Sequence, residues 1–252
     1  MDPRWIVPQW PVPHAVGALI TTRPGGHSLG PWGAADGGGG MNLAWGADAA
    51  PAVERNRARL RADLPREPCW LQQVHGSDVV DAATAGDLPQ ADAAISTLAG
   101  VVCCVLVADC LPVLLADARG RGVAAAHAGW RGLAGGVIQN AVNALRAAVG
   151  EDSARILAYL GPAIGPKHFE VGPEVLAAMK QRLAHAHLAF EAAPGGKYRA
   201  DLFALARMAL TQVGVQDVHG GGECTVSDPQ RFYSFRRDGV TGRHAALIWL
   251  RK

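Results

Sequence analysis

One stretch near the middle of the chain, Val101 to Gly136 (VVCCVLVADCLPVLLADARGRGVAAAHAGWRGLAGG), limits the possible folds more than any other. Val101 to Ala108 is an unbroken apolar run rich in β-branched residues, the pattern of a strand covered on both faces. It stops at Asp109-Cys110. Pro112 has no N–H to give to a ladder, so Asp109 to Leu111 is expected to form a break or bulge that aims Cys110 away from regular pairing. Val113 to Ala116 resumes the strand, Asp117 to Gly122 turns, and Val123 to Ala126 returns with small residues that let another layer approach. His127 falls where that strand ends. Gly129 to Gly132 is a Gly-rich turn containing Arg131, and Leu133 to Val149 carries helical periodicity, so backbone N–H groups and a guanidinium converge as an anion site. The segment offers a thiol, an imidazole and an anion site.

Two side chains need a third to hold a metal, and the best candidate is upstream, in Trp70-Leu71-Gln72-Gln73-Val74-His75-Gly76. The separations are 35 residues from His75 to Cys110 and 17 from Cys110 to His127, which match no local zinc pattern such as CxxC or HExxH. Taken singly, a free cysteine is more often a small buried hydrophobe than a ligand. A lone histidine is likewise more often structural.

The motifs add to this. QVHG at 73–76, ADCLPVLLAD at 108–117, AHAGWRGL at 126–133, GPAIGP at 161–166 and FEVGPEV at 169–175 are joined by CT at 224–225 and FRRDGVTGR at 235–243. Together they resemble the laccase-domain family, variously called polyphenol oxidase, purine nucleoside phosphorylase and peptidoglycan editing factor. The resemblance runs from Ile6-Val7-Pro8-Gln9-Trp10-Pro11 to Ile248-Trp249-Leu250. It implies one zinc held by His75, Cys110 and His127, with copper the less favoured metal. It also implies purine nucleosides and phosphate as substrates, through phosphorolysis of adenosine, inosine, guanosine and methylthioadenosine and through adenosine deamination, and it extends to proteins that edit cell-wall synthesis. The expected catalytic residues are Cys110, His127 and Asp109, and the expected substrate-binding residues are Arg131, Asn42, Gln73 and Arg23. Gln73 and Asp109 flank the ligands and are placed to orient them or relay protons. Asp92, in an Ala91-Asp92-Ala93 segment that also matches the family, is expected in a turn or as support for a ligand.

Composition sets the outer limits. The 252 residues, 49% hydrophobic, suit one domain spanning 1–252 with a sizeable core. A net charge of +2 from 24 basic and 22 acidic residues implies no nucleic-acid partner. The longest apolar run, the 11 residues Leu98 to Ala108, is well short of a membrane span, and the proline-broken N-terminus lacks the apolar core of a signal peptide. A cytoplasmic location is expected. Five cysteines, with Cys103-Cys104 adjacent in a predicted strand, argue against a disulfide framework and for a reducing compartment.

Along the rest of the chain, His14 to Thr22 reads as a strand and Arg23 to Gly26 as a turn. The Gly-rich stretch Gly25 to Gly46 is expected to be a long mobile loop, either plain surface or a lid over the site. Helices are predicted over Pro51 to Leu64, Glu174 to Leu188 and Asp201 to Val213. Cys69 to Gln73, Val79-Val80, Ile156 to Leu160, Phe169 to Val171 and Val215 to His219 read as strands, and Phe232 to Phe235 with Ala245 to Leu250 as a closing hairpin. Strands and helices intermix without strict βαβ alternation, which predicts an α+β fold of mixed sheets covered by helices in layers.

Three chemistries remain open on the residues. A His2Cys zinc with an open fourth position activates water or polarises a substrate. A metal-free cysteine hydrolase would use Cys110 as nucleophile and His127 as base. A copper polyphenol oxidase would need many imidazoles, whereas the chain has 9 histidines and one HxH, His185-Ala186-His187, on a predicted polar helix face.

Overall fold

The computed structural model describes residues 2–252, with elements numbered along the chain. The central stretch forms β6 (Val102–Val107), β7 (Leu111–Asp117) and β8 (Val123–Ala128), followed by α2 (Trp130–Gly135) and α3 (Val137–Ala148). Ala108, Asp109 and Cys110 leave the ladder, a break one residue earlier than expected, and Pro112 lies inside β7. Its missing N–H would face Gly161, which has already run past the end of β9 (Ile156–Leu160) and donates to the Pro112 carbonyl at 3.0 Å. The proline therefore interrupts no interior pair. The predicted single helix over 133–149 is two helices: Gly136, at φ +90°, ends α2 and begins α3. The supposed turn Gly129 to Gly132 is thus the entry and first turn of α2.

Two sheets form the frame. A six-stranded sheet runs β13 (Asp217–Gly220), β9, β7, β8, β5 (Ala93–Ser96), β4 (Val79–Asp81). A four-stranded sheet runs β1 (Val16–Ile20), β14 (His244–Leu250), β6, β3 (Pro68–Cys69). Period-two alternation decides what each face meets. Leu114, Ala116, Val123 and Ala125 face Val105, Cys103, Ala246 and Ile248 between the sheets. Val113, Leu115, Ala124 and Ala126 face the other way, onto α2, α3, α4 (Pro173–Arg182) and α5 (Leu202–Gln212). The outer side of the smaller sheet, with Leu19, Val102, Cys104 and Leu247, is covered by Met41, Leu43 and Leu60 of the segment ending in α1 (Ala50–Arg61). The result is an α+β sandwich of two mixed sheets between helical layers. No helix among the described residues is long and apolar enough to cross a membrane, and all five cysteines are free.

Three expectations are corrected. The closing hairpin does not form: residues 235–238 are a short helix, α6 (Phe235–Asp238), and β14 pairs instead with β1 and β6, Val16 opposite Leu250 and His244 opposite Val107. The helix expected to reach Leu188 stops at Arg182, and the next segment adds β11 (Phe190–Ala193) to a small sheet with β12 (Lys197–Ala200) and β10 (Glu170–Val171). His185 and His187 are exposed beside it. The glycine-rich stretch, containing β2 (Pro24–Ser28), is pinned down. The fully buried Asn56 of α1 donates to Ser28 Oγ (2.9 Å), Gly40 O (3.1 Å) and Asn42 O (2.8 Å), and accepts from His27 N at 2.7 Å. A lid needs a segment that can leave, and this one supplies part of the core cover through Met41 and Leu43.

His244 gives the fold a pH dependence. Its Nε2 accepts from Tyr233 N at 2.8 Å, its Nδ1 finds no partner among the described residues, and burial together with Arg243, Arg23 and Arg237 pulls its pKa down to about 3. The folded chain keeps this imidazole neutral, whereas the unfolded chain protonates it near the ordinary 6.5. Its contribution is full above 6.5 and is lost as pH falls toward 3, by up to about 1.4 kcal/mol per pH unit. His244→Gln should flatten that part of the stability profile in urea titrations at a series of pH values. Parallel profiles for parent and variant would contradict the assignment.

Candidate metal centre

The break after β6 and the end of β8 converge on one point. Asp109 takes φ +82°, which turns the chain so that Cys110 leaves the ladder. His127 is the penultimate residue of β8, and His75 comes from the loop after β3 with φ +60°. The three ligand atoms of His75, Cys110 and His127 lie within 4.8 Å of one another, with Cys110 Sγ 3.9 Å from His75 Nε2. Gly129 permits this approach: a Cβ there would stand 2.9 Å from the Cys110 sulfur and 3.2 Å from His75 Cδ2.

Asp92 organises the cluster. One carboxylate oxygen meets His127 Nδ1 at 2.7 Å and accepts from His75 N at 3.0 Å; the other accepts from Val74 N at 3.0 Å and Gly76 N at 2.7 Å. Its carbonyl also accepts from His127 N at 2.7 Å. A fully buried carboxylate thus holds the loop of one ligand in its left-handed turn and fixes the tautomer of the other, so that His127 Nε2 faces the cluster. Burial would raise the Asp92 pKa, but His127 and the amides of Gly76 and Val74 hold it below the usual range.

The electrostatics suit a cation. Burial alone would raise the Cys110 thiol, yet hydrogen bonds from His127 and His75 bring it down to about 6. Burial opposes charge on His127, but Asp92 and Cys110 lift it to about 9. A thiolate between two imidazoles, one with its far nitrogen committed to a carboxylate, is the donor set of a three-ligand metal site. The residues fit a metal ion. By contrast, burial pushes the Cys103 and Cys104 thiols up, as for inert core cysteines.

The cluster opens into a cavity of about 420 Å³ lined by Gln73, His75, Cys110, His127, Phe235 and Arg243 among others. Gln73 is held there by two bonds to Leu106, donating to its carbonyl (2.9 Å) and accepting from its N–H (2.7 Å), as a strand partner would. Asp109 has both oxygens occupied, by Thr225 Oγ1 at 2.5 Å and Arg236 N at 2.6 Å, which ties the C-terminal segment to the ligand loop. The other expected substrate residues are outside the lining. Asn42 is buried, bonding Asp48 Oδ2 (2.9 Å) and Arg243 N (2.9 Å); Arg23 donates to Gly33 O (2.8 Å) and lies 3.6 Å from Asp238; Arg131 is exposed, 4.4 Å over the Trp130 ring.

Sequence reasoning singled out Asp92 only through its matching motif, as a turn residue or support for a ligand, and missed Arg243. Asp92 stands 17 and 35 residues from the histidines it holds, so no local spacing marks it. Arg243, in the FRRDGVTGR motif, is the cation of the cavity. Its Nη1 donates to Thr241 O and Gly242 O, both at 3.0 Å, leaving Nη2 and Nε for a ligand. Burial lowers its pKa against the opposing effect of Cys110 and Asp109.

Layered α+β architecture with one His-Cys-His cluster, gathered from a loop, a strand break and a strand end, defines a class of proteins able to hold a single metal ion. The chain belongs to the family described as multi-copper polyphenol oxidoreductase laccase, whose sequence profile matches residues 17–251. It is 48% identical over 248 residues to a protein of Pseudomonas aeruginosa named purine nucleoside phosphorylase, covering 98% of each chain. It is 47% identical over 251 residues to the Escherichia coli purine nucleoside phosphorylase YfiH, covering 97% of this chain and 98% of that one. The crystal structure of Neisseria meningitidis protein NMB0706 superposes with a TM-score of 0.90 at 44% identity, covering 99% of this chain and 100% of that one. Among the described residues, His75, Cys110 and His127 are the one group of three or more such side chains placed to hold a metal, fewer than the several imidazoles of a multicopper cluster.

Proposed function

We propose that this chain is a cytoplasmic, zinc-dependent purine nucleoside phosphorylase acting on adenosine, inosine, guanosine and methylthioadenosine, with the ion on His75, Cys110 and His127. One observation carries the reading: the His-Cys-His cluster shares its cavity with an arginine whose Nη2 and Nε make no hydrogen bond among the described residues. A single cation site and a free guanidinium suit a neutral nucleoside and an anionic co-substrate. The relatives' names point the same way.

In phosphorolysis a phosphate oxygen bonds to C1′ of the ribose while the C1′–N bond breaks; the base leaves with the electron pair and takes up a proton. Arg243 presents a planar fork to the phosphate, a geometry that lysine cannot match. Asp92 keeps the proton on His127 Nδ1, and Gln73 fixes the cavity wall beside His75. The bound metal would supply Lewis acidity, polarising a substrate oxygen or a water. Adenosine deamination, which needs hydroxide at C6 but no phosphate, is assigned to the same cavity.

The test is inosine cleavage with and without phosphate. Arg243→Ala should raise the KM for phosphate by roughly 10- to 150-fold, the effect of losing charge-assisted hydrogen bonds, while zinc content and adenosine-to-inosine conversion change little. Phosphate-independent cleavage by the parent chain, or an unchanged KM in the variant, would overturn the reading. The metal-free alternative rests on the Cys110–His127 pair itself, which offers a nucleophile beside a base. It gains only if the chelator-stripped chain hydrolyses substrate.

A further inference from the structure

Two cavities meet at Cys110. Besides the 420 Å³ cavity of the ligand residues there is a second, of about 140 Å³, walled by Trp130, Ile164, Phe169 and Leu202. Ala108, Cys110 and Phe235 line both. The smaller space holds roughly five waters' worth of volume, at about 30 Å³ each, and its walls are mainly apolar and aromatic, with Asp109 and Arg236 also among them. Phe235 is 58% exposed, yet its backbone is not free. The next residue, Arg236, donates its N–H to Asp109 beside Cys110 (2.6 Å), and Ser234 caps the short helix by accepting from Arg237 N at 3.2 Å. A large apolar ring is therefore held in water at a fixed place over the ligand cluster, with the Arg243 guanidinium 5.9 Å from its centre. Helix α6 gains nothing from that exposure, since a small residue would start it as well. Phe235 is the one large apolar side chain that lines both cavities.

We infer that Phe235 is the platform on which the purine base stacks, the base seated toward Trp130 in the smaller compartment and the ribose reaching past Cys110 toward Arg243. This rests on the phosphorylase reading and adds what that reading leaves open: which residue selects a flat, bicyclic base. Stacking is sequence-tolerant among bases because every base has a π-face, so Phe235 accounts for acceptance of several purines while the small compartment limits the base that enters.

Steady-state kinetics of Phe235→Ala, Phe235→Leu and Phe235→Tyr separate this from a structural role. Phe235→Ala should raise the KM for inosine roughly 10- to 100-fold and leave the KM for phosphate and the zinc content unchanged. Phe235→Tyr should retain the parent's KM, and Phe235→Leu, apolar but not planar, should not. Equal rises in both KM values, loss of zinc, or full rescue by leucine would overturn the platform. A second readout needs no turnover: hypoxanthine should quench the fluorescence of the parent chain through Trp130 and fail to do so in Phe235→Ala. If the parent cleaves no nucleoside but binds the base through Phe235, the phosphorylase reading falls and the platform stands. If it cleaves inosine and Phe235→Ala binds and turns over normally, the platform falls alone.

Discussion

Asp92→Ala should lose zinc binding by well over 100-fold and unfold at a markedly lower temperature than the parent. The substitution removes four acceptor contacts at once, to Val74, His75, Gly76 and the His127 ring. Breaking a buried charged network of this kind costs about 3–5 kcal/mol. Asp92→Asn separates the two effects, because it keeps the shape but loses the charge and one acceptor. A drop in zinc affinity of about 10- to 100-fold, read by competition with a chromophoric chelator, is the expected result for a residue that orients a ligand imidazole. Equal affinities in Asp92→Asn and the parent would show that the carboxylate merely shapes the loop.

His75→Gly should abolish metal binding and leave the metal-free fold intact. His75 is exposed and occupies the left-handed region at φ +60°, where a side chain costs roughly 1–2 kcal/mol and glycine costs little. Glycine's greater freedom in the unfolded chain offsets part of that gain. The metal-free variant should therefore match the parent's stability within about 1 kcal/mol in urea titration, while elemental analysis falls from one zinc per chain to near none. A strained backbone that is retained at a ligand and relieved by removing it is the signature of a site maintained for function. If His75→Gly keeps its zinc, the ion is held elsewhere. If its metal-free form collapses, the left-handed turn depends on the imidazole itself.

What the sequence made legible and what it hid follow from range. The run Val101 to Ala108 declares a doubly buried strand because nothing polar interrupts it, and β6 lies as expected between two packed layers. His75, Cys110 and His127 were identifiable as candidates because each closes an apolar run, and the chain folds so that a loop, the break before β7 and the end of β8 bring them together. The partner of β14 was hidden: its apolar residues announce a strand, but pairing with β1 some 230 residues away leaves no local mark. Gly136 looked like one more small residue in a helix until its positive φ split the helix in two. β11 and β12, built from Phe190 to Ala200 with alanine, glycine and lysine, lack the β-branched enrichment that signals strands. Asp92 and Arg243 act only across tertiary contacts, one holding two loops and the other closing a cavity from the far end of the chain.

The most direct measurement is chromatographic assay of inosine cleavage by chain stripped with a chelator, before and after one equivalent of zinc, each with and without phosphate. Hypoxanthine together with ribose 1-phosphate only when both zinc and phosphate are present is the result the account predicts. Cleavage by the stripped chain, or release of free ribose regardless of phosphate, would contradict it.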